Sequence, residues 1–583
     1  MAQAVSIVVF VNYIINNKLV FTKHYKEVDV EKIWLNEYDK DVPAEIDVNT
    51  YQSAVEALEE SCESYANLPA CYNMGTTLTY KQIDQYALAF AAYLQQELKL
   101  QKGDRVAIMM PNVLQYPVAM FGILRAGLVV VNVNPLYTAR EVIHQLNDAG
   151  AETLIVLSNF AHTVADALKE TSLKNIIVTD VGDLLSWPKS TIVNFVVKNV
   201  KHMIQAYDIP DAIVFRTAMA IGKKLHFQPV VLNHQDIAFL QYTGGTTGVS
   251  KGAILTHKNI IANMLQAEAW FHPLFKPGKE IMITALPLYH IFSLMANCLF
   301  IMKIGGLSIL ITNARDNEGM VKDMGKFKFT VITGVNTLFN ALVKNPNFAK
   351  LDFSHLVLTL GGGMAVQSTV AKKWADITGK PILEAYGLTE TSPCAAINPS
   401  NLKEYNGSIG LPVSSTDACL MDDSGNEVTE GSGELALKGP QVMRGYWQNP
   451  AETQKVFTKD GWLLTGDIAS IDDKGYIRIL ERKKDMILVS GFNVYPNEIE
   501  DVLVSMPGIR EAAVIAVPDE SSGEAPKAFV VRENPDITAE DIIKFCHTKL
   551  TGYKVPKHIK FCDELPKSNV GKVLRRALRE KAE

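Results

Sequence analysis

Tyr242-Thr-Gly-Gly-Thr-Thr-Gly-Val-Ser-Lys-Gly252 stands between two apolar runs, Ile237-Ala-Phe-Leu240 and Ala253-Ile-Leu255. Its four glycines open backbone conformations closed to other residues and let N–H groups approach a bound anion. Three threonine hydroxyls and Lys251 add donors and a charge, so Thr243, Gly244, Gly245, Thr246, Thr247, Gly248 and Lys251 form a candidate phosphate cradle. It is not a Walker A loop, because Ser250 precedes Lys251 and Gly252 follows it. Taken alone, the stretch reads equally as a flexible surface loop, and its neighbours must decide.

Upstream, the apolar patterning alternates between strand and helix. Asp104 to Met110 is a buried strand, Gln115 to Ala126 a helix, and Leu128 to Val133 a second strand. Further strands fall at Thr153 to Leu157 and Asn175 to Thr179, which is the grammar of a parallel sheet with crossover helices. Between 182 and 228 the rhythm breaks. Ile192, Val193, Val196, Val197, Val200, Met203 and Ile204 fall at helical spacing, with Lys198, Lys201 and His202 on other faces. Such a helix either packs its apolar face on the protein's own core, the ordinary outcome, or docks on a membrane surface.

Downstream, Met282 to Leu286, Ser308 to Ile311, Thr330 to Thr333 and Leu356 to Leu360 are further buried strands, each followed by a helical stretch. From about 407 to 482 short strands and tight turns predict a mostly β subdomain. The charge-dense Glu481-Arg-Lys-Lys-Asp485 marks a boundary, beyond which the patterning predicts a compact α+β unit. The expected fold is therefore α/β: a large N-terminal domain of parallel α/β sheets with a β subdomain, then a small α+β C-terminal domain.

The chain has 583 residues, beyond the size at which a single core keeps growing. Its formal net charge of -6 gives no general pull toward nucleic acid or anionic lipid. Seven scattered cysteines without a C-x-x-C pair argue for reduced thiols in a cytosolic compartment and against a zinc site. The apolar N-terminal run, Val5 to Ile15, is broken by Ser6 and Asn12 and is too short to span a bilayer, which takes about 20 apolar residues. Its alternation suits a strand or an interfacial segment.

Five further segments carry chemistry. His290 closes Leu286-Pro-Leu-Tyr-His290 at a strand end, where open α/β sheets keep their ligand sites. Gly361-Gly-Gly363 permits close backbone approach to a flat ring. Tyr386-Gly-Leu-Thr-Glu-Thr391 supplies a stacking aromatic, with Gly387 and Thr389 beside it, and a carboxylate, Glu390, suited to Mg²⁺. Asp467 in Thr465-Gly-Asp467 can accept hydrogen bonds from a ribose diol, and Arg482 can reach the same sugar or a phosphate. Lys572 follows a glycine turn in Pro566-Lys-Ser-Asn-Val-Gly-Lys572.

In this order and at this spread, from about Val30 to Arg576, these segments resemble the adenylate-forming superfamily of acyl-CoA synthetases, peptide adenylation domains and luciferases. Asp460 to Asp467 and Arg482 to Glu500 are similar in particular to the signature of bacterial long-chain fatty-acid–CoA ligases. The resemblance implies residues 1–29 as an extension of unknown role, 30–484 as the adenylate-forming domain, and 485–583 as a mobile C-terminal domain. It implies ATP, a long-chain fatty acid and CoA as substrates, Mg²⁺ held by Glu390 with Thr243, and Lys572 as the adenylation lysine. Lys484 falls at the hinge position and Ser490-Gly491 in the CoA tunnel. Leu294 stands where some relatives carry a gating tryptophan. Segments from Leu286 to Ala296 and Thr333 to Leu342 are expected to line an acyl tunnel. The resemblance also implies a place in lipid metabolism such as β-oxidation, and a homodimer; an insoluble substrate together with the helix near Ile192 motivates the expectation of peripheral association with the cytoplasmic face of the inner membrane. Two other functions fit the same fold: an acyl-adenylating enzyme that loads a carrier protein, and a non-catalytic nucleotide or fatty-acid binder. The second predicts loss of the key charges, yet Glu390, Asp467, Arg482 and Lys572 are all present.

Overall fold

A computed structural model describes residues 31–243, 250–490, 492–519, 521–568 and 571–582. The N-terminal alternation Val5 to Val11 lies outside the described residues.

The strands Arg105–Met109, Val129–Asn132, Thr153–Leu157 and Asn175–Thr179 form the parallel centre of a seven-stranded sheet, as their continuous apolar runs require when both faces are covered. Ile237–Thr243 joins it in parallel beside Val129–Asn132, and Lys251–Thr256 returns antiparallel at the edge. The glycine-rich stretch thus connects the last two strands of this sheet. A nine-stranded sheet runs in the order Leu411–Pro412, Cys394–Ile397, Leu383–Gly387, Leu358–Gly361, Val331–Gly334, Ile281–Thr284, Leu307–Leu310, Pro69–Asn73, Thr76–Thr79. Its interior is parallel and its two edges antiparallel.

One apolar cluster ties the two sheets together. It runs from Cys71 and Leu310 of the larger sheet, through the helices Ala54–Ser64, Tyr80–Gln96 and Gln115–Arg125, to Val106, Ile108 and Val130 of the smaller. The helix Gln115–Arg125 is buried along its whole length, which explains its nearly unbroken apolar sequence. Its one cation, Arg125, is held by Asp84 at 2.6 Å and Glu59 at 2.9 Å.

The β subdomain is a four-stranded antiparallel sheet, Asp417–Met421, Gly433–Lys438, Leu463–Ile471 and Ile477–Arg482. Gly407 to Gly410 does not form a strand of its own; Gly410 makes a single bridge to Ile477, and the strand begins at Leu411. After Asp485 a separate sheet of five strands follows, with Ile509–Asp519 and Gly523–Arg532 at its centre. The helices Pro496–Ser505 and Ala539–His547 pack on it over a core containing Ile499, Leu503, Val514, Val530 and Ile542. All seven cysteines are free thiols, five of them buried.

The core-packing expectation for the 192–204 segment holds only in part: Val193, Val196, Val197 and Ile204 are half-buried, while Ile192, Val200 and Met203 are exposed. A short helix, Lys189–Phe195, continues as a π-helical turn, Val196–Val200. Val193 turns inward onto the main cluster, but Ile192, Phe195, Val200 and Met203 are exposed, and Trp187 just before them is 84% exposed. The spacing fixed an apolar face correctly; what that face meets is a tertiary matter that periodicity does not carry.

Candidate active site

The loop from Leu286 to His290 leaves the strand Ile281–Thr284 and is pinned from three sides. Asn112 accepts from Leu288 N (2.8 Å), Tyr116 donates to Leu288 O (2.9 Å), and Gln241 donates to Tyr289 O (2.8 Å). His290 then caps the short helix Ile291–Ser293. Burial and the nearby positive charge of Lys572 push its imidazole down to about 4, so it is a neutral hydrogen-bonding group at pH 7.

Next to it lie the glycines and the tyrosine. A side chain on Gly362 would press on Ala385 O and Phe292 at 3.1 Å, and Gly363 takes a φ of +77°. At Gly387 a Cβ would stand 1.9 Å from Pro393 O, where the strands Leu383–Gly387 and Cys394–Ile397 pair. Only glycine permits that approach. Tyr386 donates its hydroxyl to Asp467 Oδ2 (2.5 Å), and the other oxygen of Asp467 receives Arg482 Nε at 2.9 Å. Arg482 also donates to Thr465 O (3.3 Å). Asp467 is 2% exposed; burial pushes its carboxyl up, and Arg482 opposes that. Each carboxylate oxygen still has acceptor capacity for a ligand hydroxyl.

Lys572 reaches this cluster from the C-terminal unit. It sits in a cleft, open to water yet surrounded by protein, and it lies within electrostatic reach of His290, Asp467 and Arg482. Desolvation, followed by the repulsion of Arg482, pushes its ammonium down to about 8.

Glu390 and Lys251 have partners that the sequence did not reveal. Tyr446 donates to Glu390 Oε1 (2.6 Å), and Met443 N donates to the Glu390 backbone carbonyl (2.7 Å). Lys251 opens the strand Lys251–Thr256, pairs with Glu452 and lies 5.3 Å from the Tyr446 ring centre. In this structure Lys251 is an ion-paired cation rather than a free one. Tyr446 and Glu452 lie 56 and 201 residues from the groups they serve, and no local pattern marks them. Thr243 ends the strand Ile237–Thr243, in register with Lys251. Thr389 begins a single 3₁₀ turn, Thr389–Thr391. Gly244, Gly245, Thr246, Thr247, Gly248 and Gly491 lie outside the described residues.

Lys484 is exposed in the turn after the strand Ile477–Arg482, where Asp485 N and Met486 N both bond Arg482 O. Ser490 is not gathered with the nucleotide candidates; it sits on the hairpin after Ile487–Val489 with a φ of +50°, bonded to Ser522.

An apolar cavity opens beneath Gly362 and Tyr386. The expected segments contribute Phe292, Met295, Ala296 and Thr333 to its lining, whereas Leu342 is buried elsewhere in the core. The strand residues Met282, Val331, Leu358 and Leu360, which read as ordinary core, line it too, as do Ala267 and Phe271 of the helix His257–Phe271. Leu294 is fully buried and is not among the lining residues.

Residues 58–447 match the AMP-binding enzyme family and residues 498–572 its C-terminal domain. The chain is 57% identical over 554 residues to a long-chain-fatty-acid–CoA ligase of Escherichia coli O6:H1, covering 95% of this chain and 99% of that one. It is 58% identical to a protein of the same name from Yersinia pestis, covering 94% and 98%. Among solved structures, an anthranilate CoA ligase in complex with anthranoyl-AMP superposes with a TM-score of 0.81 at 26% identity, covering 92% of this chain and 99% of that one. Gly387→Ala should lower the thermal unfolding midpoint, since overpacking of this kind costs about 1–3 kcal/mol; an unchanged midpoint would contradict the strand contact described. With a matched nucleotide-binding model across most of its length and relatives of this identity, the chain belongs to the AMP-binding enzyme family.

Proposed function

We propose that the protein is a long-chain fatty-acid–CoA ligase that converts ATP, fatty acid and CoA to acyl-CoA, AMP and diphosphate. The observation that carries this is the double duty of Tyr386. The residue lines the apolar cavity while its hydroxyl holds Asp467, so a chain in the cavity would end its carboxylate beside the nucleotide candidates. The identity to long-chain-fatty-acid–CoA ligases over nearly the full length supports the same reading.

In the first step a carboxylate oxygen attacks the α-phosphorus of ATP and the bond to diphosphate breaks, leaving acyl-AMP. The carboxylate is already ionised at pH 7, so no general base is needed. Like charges must meet, and the Lys572 ammonium and Arg482 guanidinium supply the opposing charge. His290, being neutral, orients the carboxylate by hydrogen bonding, and Asp467 takes the ribose hydroxyls. Glu390 and Thr243 offer oxygen donors of the kind Mg²⁺ accepts, and Glu390 has an oxygen beyond the one engaged by Tyr446; bound there with ATP, the ion would offset phosphate charge. In the second step the CoA sulfur attacks the acyl carbon, the thiol proton departs to solvent, and AMP leaves. We assign Lys484 as the hinge that lets residues 485–583 turn between the steps, bringing the face with Ser490 toward CoA. The cavity wall is mostly apolar, and each methylene buried against it would contribute about 0.8 kcal/mol.

The exposed face at Trp187, Ile192, Phe195, Val200 and Met203 supports a second element, docking on an anionic membrane surface. Between Asp183 and Asp208 the chain carries Lys189, Lys198 and Lys201 and no carboxylate, in a protein of net charge -6. No helix among the described residues is long and apolar enough to cross a membrane.

Palmitate, ATP and CoA should give diphosphate and palmitoyl-CoA; no turnover with any medium to very long carboxylate would overturn the assignment, and preference for acyl carrier protein over CoA would favour the carrier-loading reading. Lys572→Ala should abolish acyl-AMP formation while largely sparing thioester formation from supplied acyl-AMP. Because the ammonium must be charged, adenylation kcat/KM should fall as pH rises through about 8, and a profile flat to pH 10 would refute that role. Phe195→Asp with Trp187→Asp should reduce sedimentation with phosphatidylglycerol vesicles several-fold; equal sedimentation would exclude this face.

A further inference from the structure

One side chain spans the segment around Lys484. Arg575 opens the helix Arg575–Glu580, three residues beyond Lys572. Its Nη1 lies 3.3 Å from Glu481 Oε1, at the end of the strand Ile477–Arg482 and so ahead of Lys484. The same guanidinium reaches behind it: Nη1 to Asp485 Oδ2 at 3.8 Å, Nη2 to Asn497 Oδ1 at 3.0 Å and to Glu500 Oε1 at 2.8 Å. Glu481, 1% exposed, also receives Arg482 N (2.8 Å) and Asn497 N (3.0 Å), while Arg579 holds the other oxygen of Asp485.

Arg575 is in turn joined closely to Lys572. Ser568 N donates to Lys572 O (2.7 Å), Lys572 N to Ser568 Oγ (3.1 Å) and Leu574 N to Pro566 O (2.8 Å), so the lysine and the start of the helix move as one piece. The loop also meets the large domain directly: a Cβ on Gly571, whose φ is +82°, would stand 2.3 Å from Thr337 Oγ1.

We propose that Arg575 is a positioning residue for adenylation, holding Lys572 in the cleft through its bond to Glu481, a bond that must break before the second half-reaction. This rests on the two-step reading above. A turn at Lys484 carries Arg575, Asp485, Asn497 and Glu500 together and leaves Glu481 behind, so Arg575–Glu481 is the ion pair of the network that opens, together with the bond from Asn497 N to Glu481. Arginine suits the task because its planar fork bonds several carboxylates at once, whereas a lysine at 575 would supply only a point charge.

The test separates the half-reactions in the full-length protein. Adenylation is read as diphosphate release from palmitate and ATP without CoA, and thiolation as palmitoyl-CoA formation from supplied palmitoyl-AMP and CoA. Arg575→Gln should lower adenylation ten- to a hundredfold, mainly in kcat with KM for ATP within about threefold, and leave thiolation within about threefold of wild type. Arg575→Lys should restore part of the loss. Glu481→Gln, which changes one atom of the side chain and guards against misfolding of the arginine variant, should fall in the same direction, and the double variant should be no worse than Arg575→Gln alone. Parallel loss of both half-reactions, additive losses in the double variant, or unchanged adenylation would each overturn the proposal. Failure of the wild-type protein to make palmitoyl-AMP in the same assay would instead overturn the reading of function.

Discussion

The bond pair on Asp467 is the constraint around which the site is built. Its carboxylate, almost without solvent contact, takes a hydroxyl from Tyr386 in the third strand of the nine-stranded sheet and a guanidinium from Arg482 in the four-stranded sheet. A buried carboxylate stripped of its cation would cost about 3–5 kcal/mol, so the two sheets are held in one relative position by an interaction that tolerates little slack. Arg482, fixed in this way, is the last residue before the turn to the C-terminal unit, and its charge depresses the ammonium of Lys572. Geometry at the ribose candidate, at the hinge position and at the adenylation lysine therefore follows from the same few atoms.

Much of this was legible in the sequence. Buried parallel strands announce themselves as unbroken apolar runs, so the centres of both large sheets and the order of strand and helix could be read directly. The strand-end placement of His290 and Gly361 to Gly363 followed, because ligand sites in open α/β sheets gather at strand ends. The fold and the list of polar candidates were thus available early, while their mutual geometry was not.

What stayed hidden depends on contacts between residues far apart in the chain. Tyr446 on Glu390, Glu452 on Lys251 and Glu481 on Arg575 are pairs that no local spacing encodes. Leu358 and Leu360 read as core because a cavity wall and a packed core demand the same apolar residues; only the missing atoms opposite them distinguish the two. The surroundings of the helix at Lys189–Phe195 stayed hidden for a related reason, since its periodicity defines a face without naming the medium it contacts. Basic residues near the chain end, such as Arg575, look like solvated charge until the fold supplies three carboxylates around them.

The account requires one adenylate to lie between the Asp467 cluster and Lys572 with its acyl chain in the cavity beneath Gly362. A crystal structure with a stable palmitoyl-adenylate analogue measures this directly. The expected result is ribose hydroxyls on Asp467, the phosphate or its surrogate within reach of Lys572, and the alkyl chain between Phe292 and Leu360. An adenylate bound away from Asp467, or an alkyl chain outside the cavity, would contradict it.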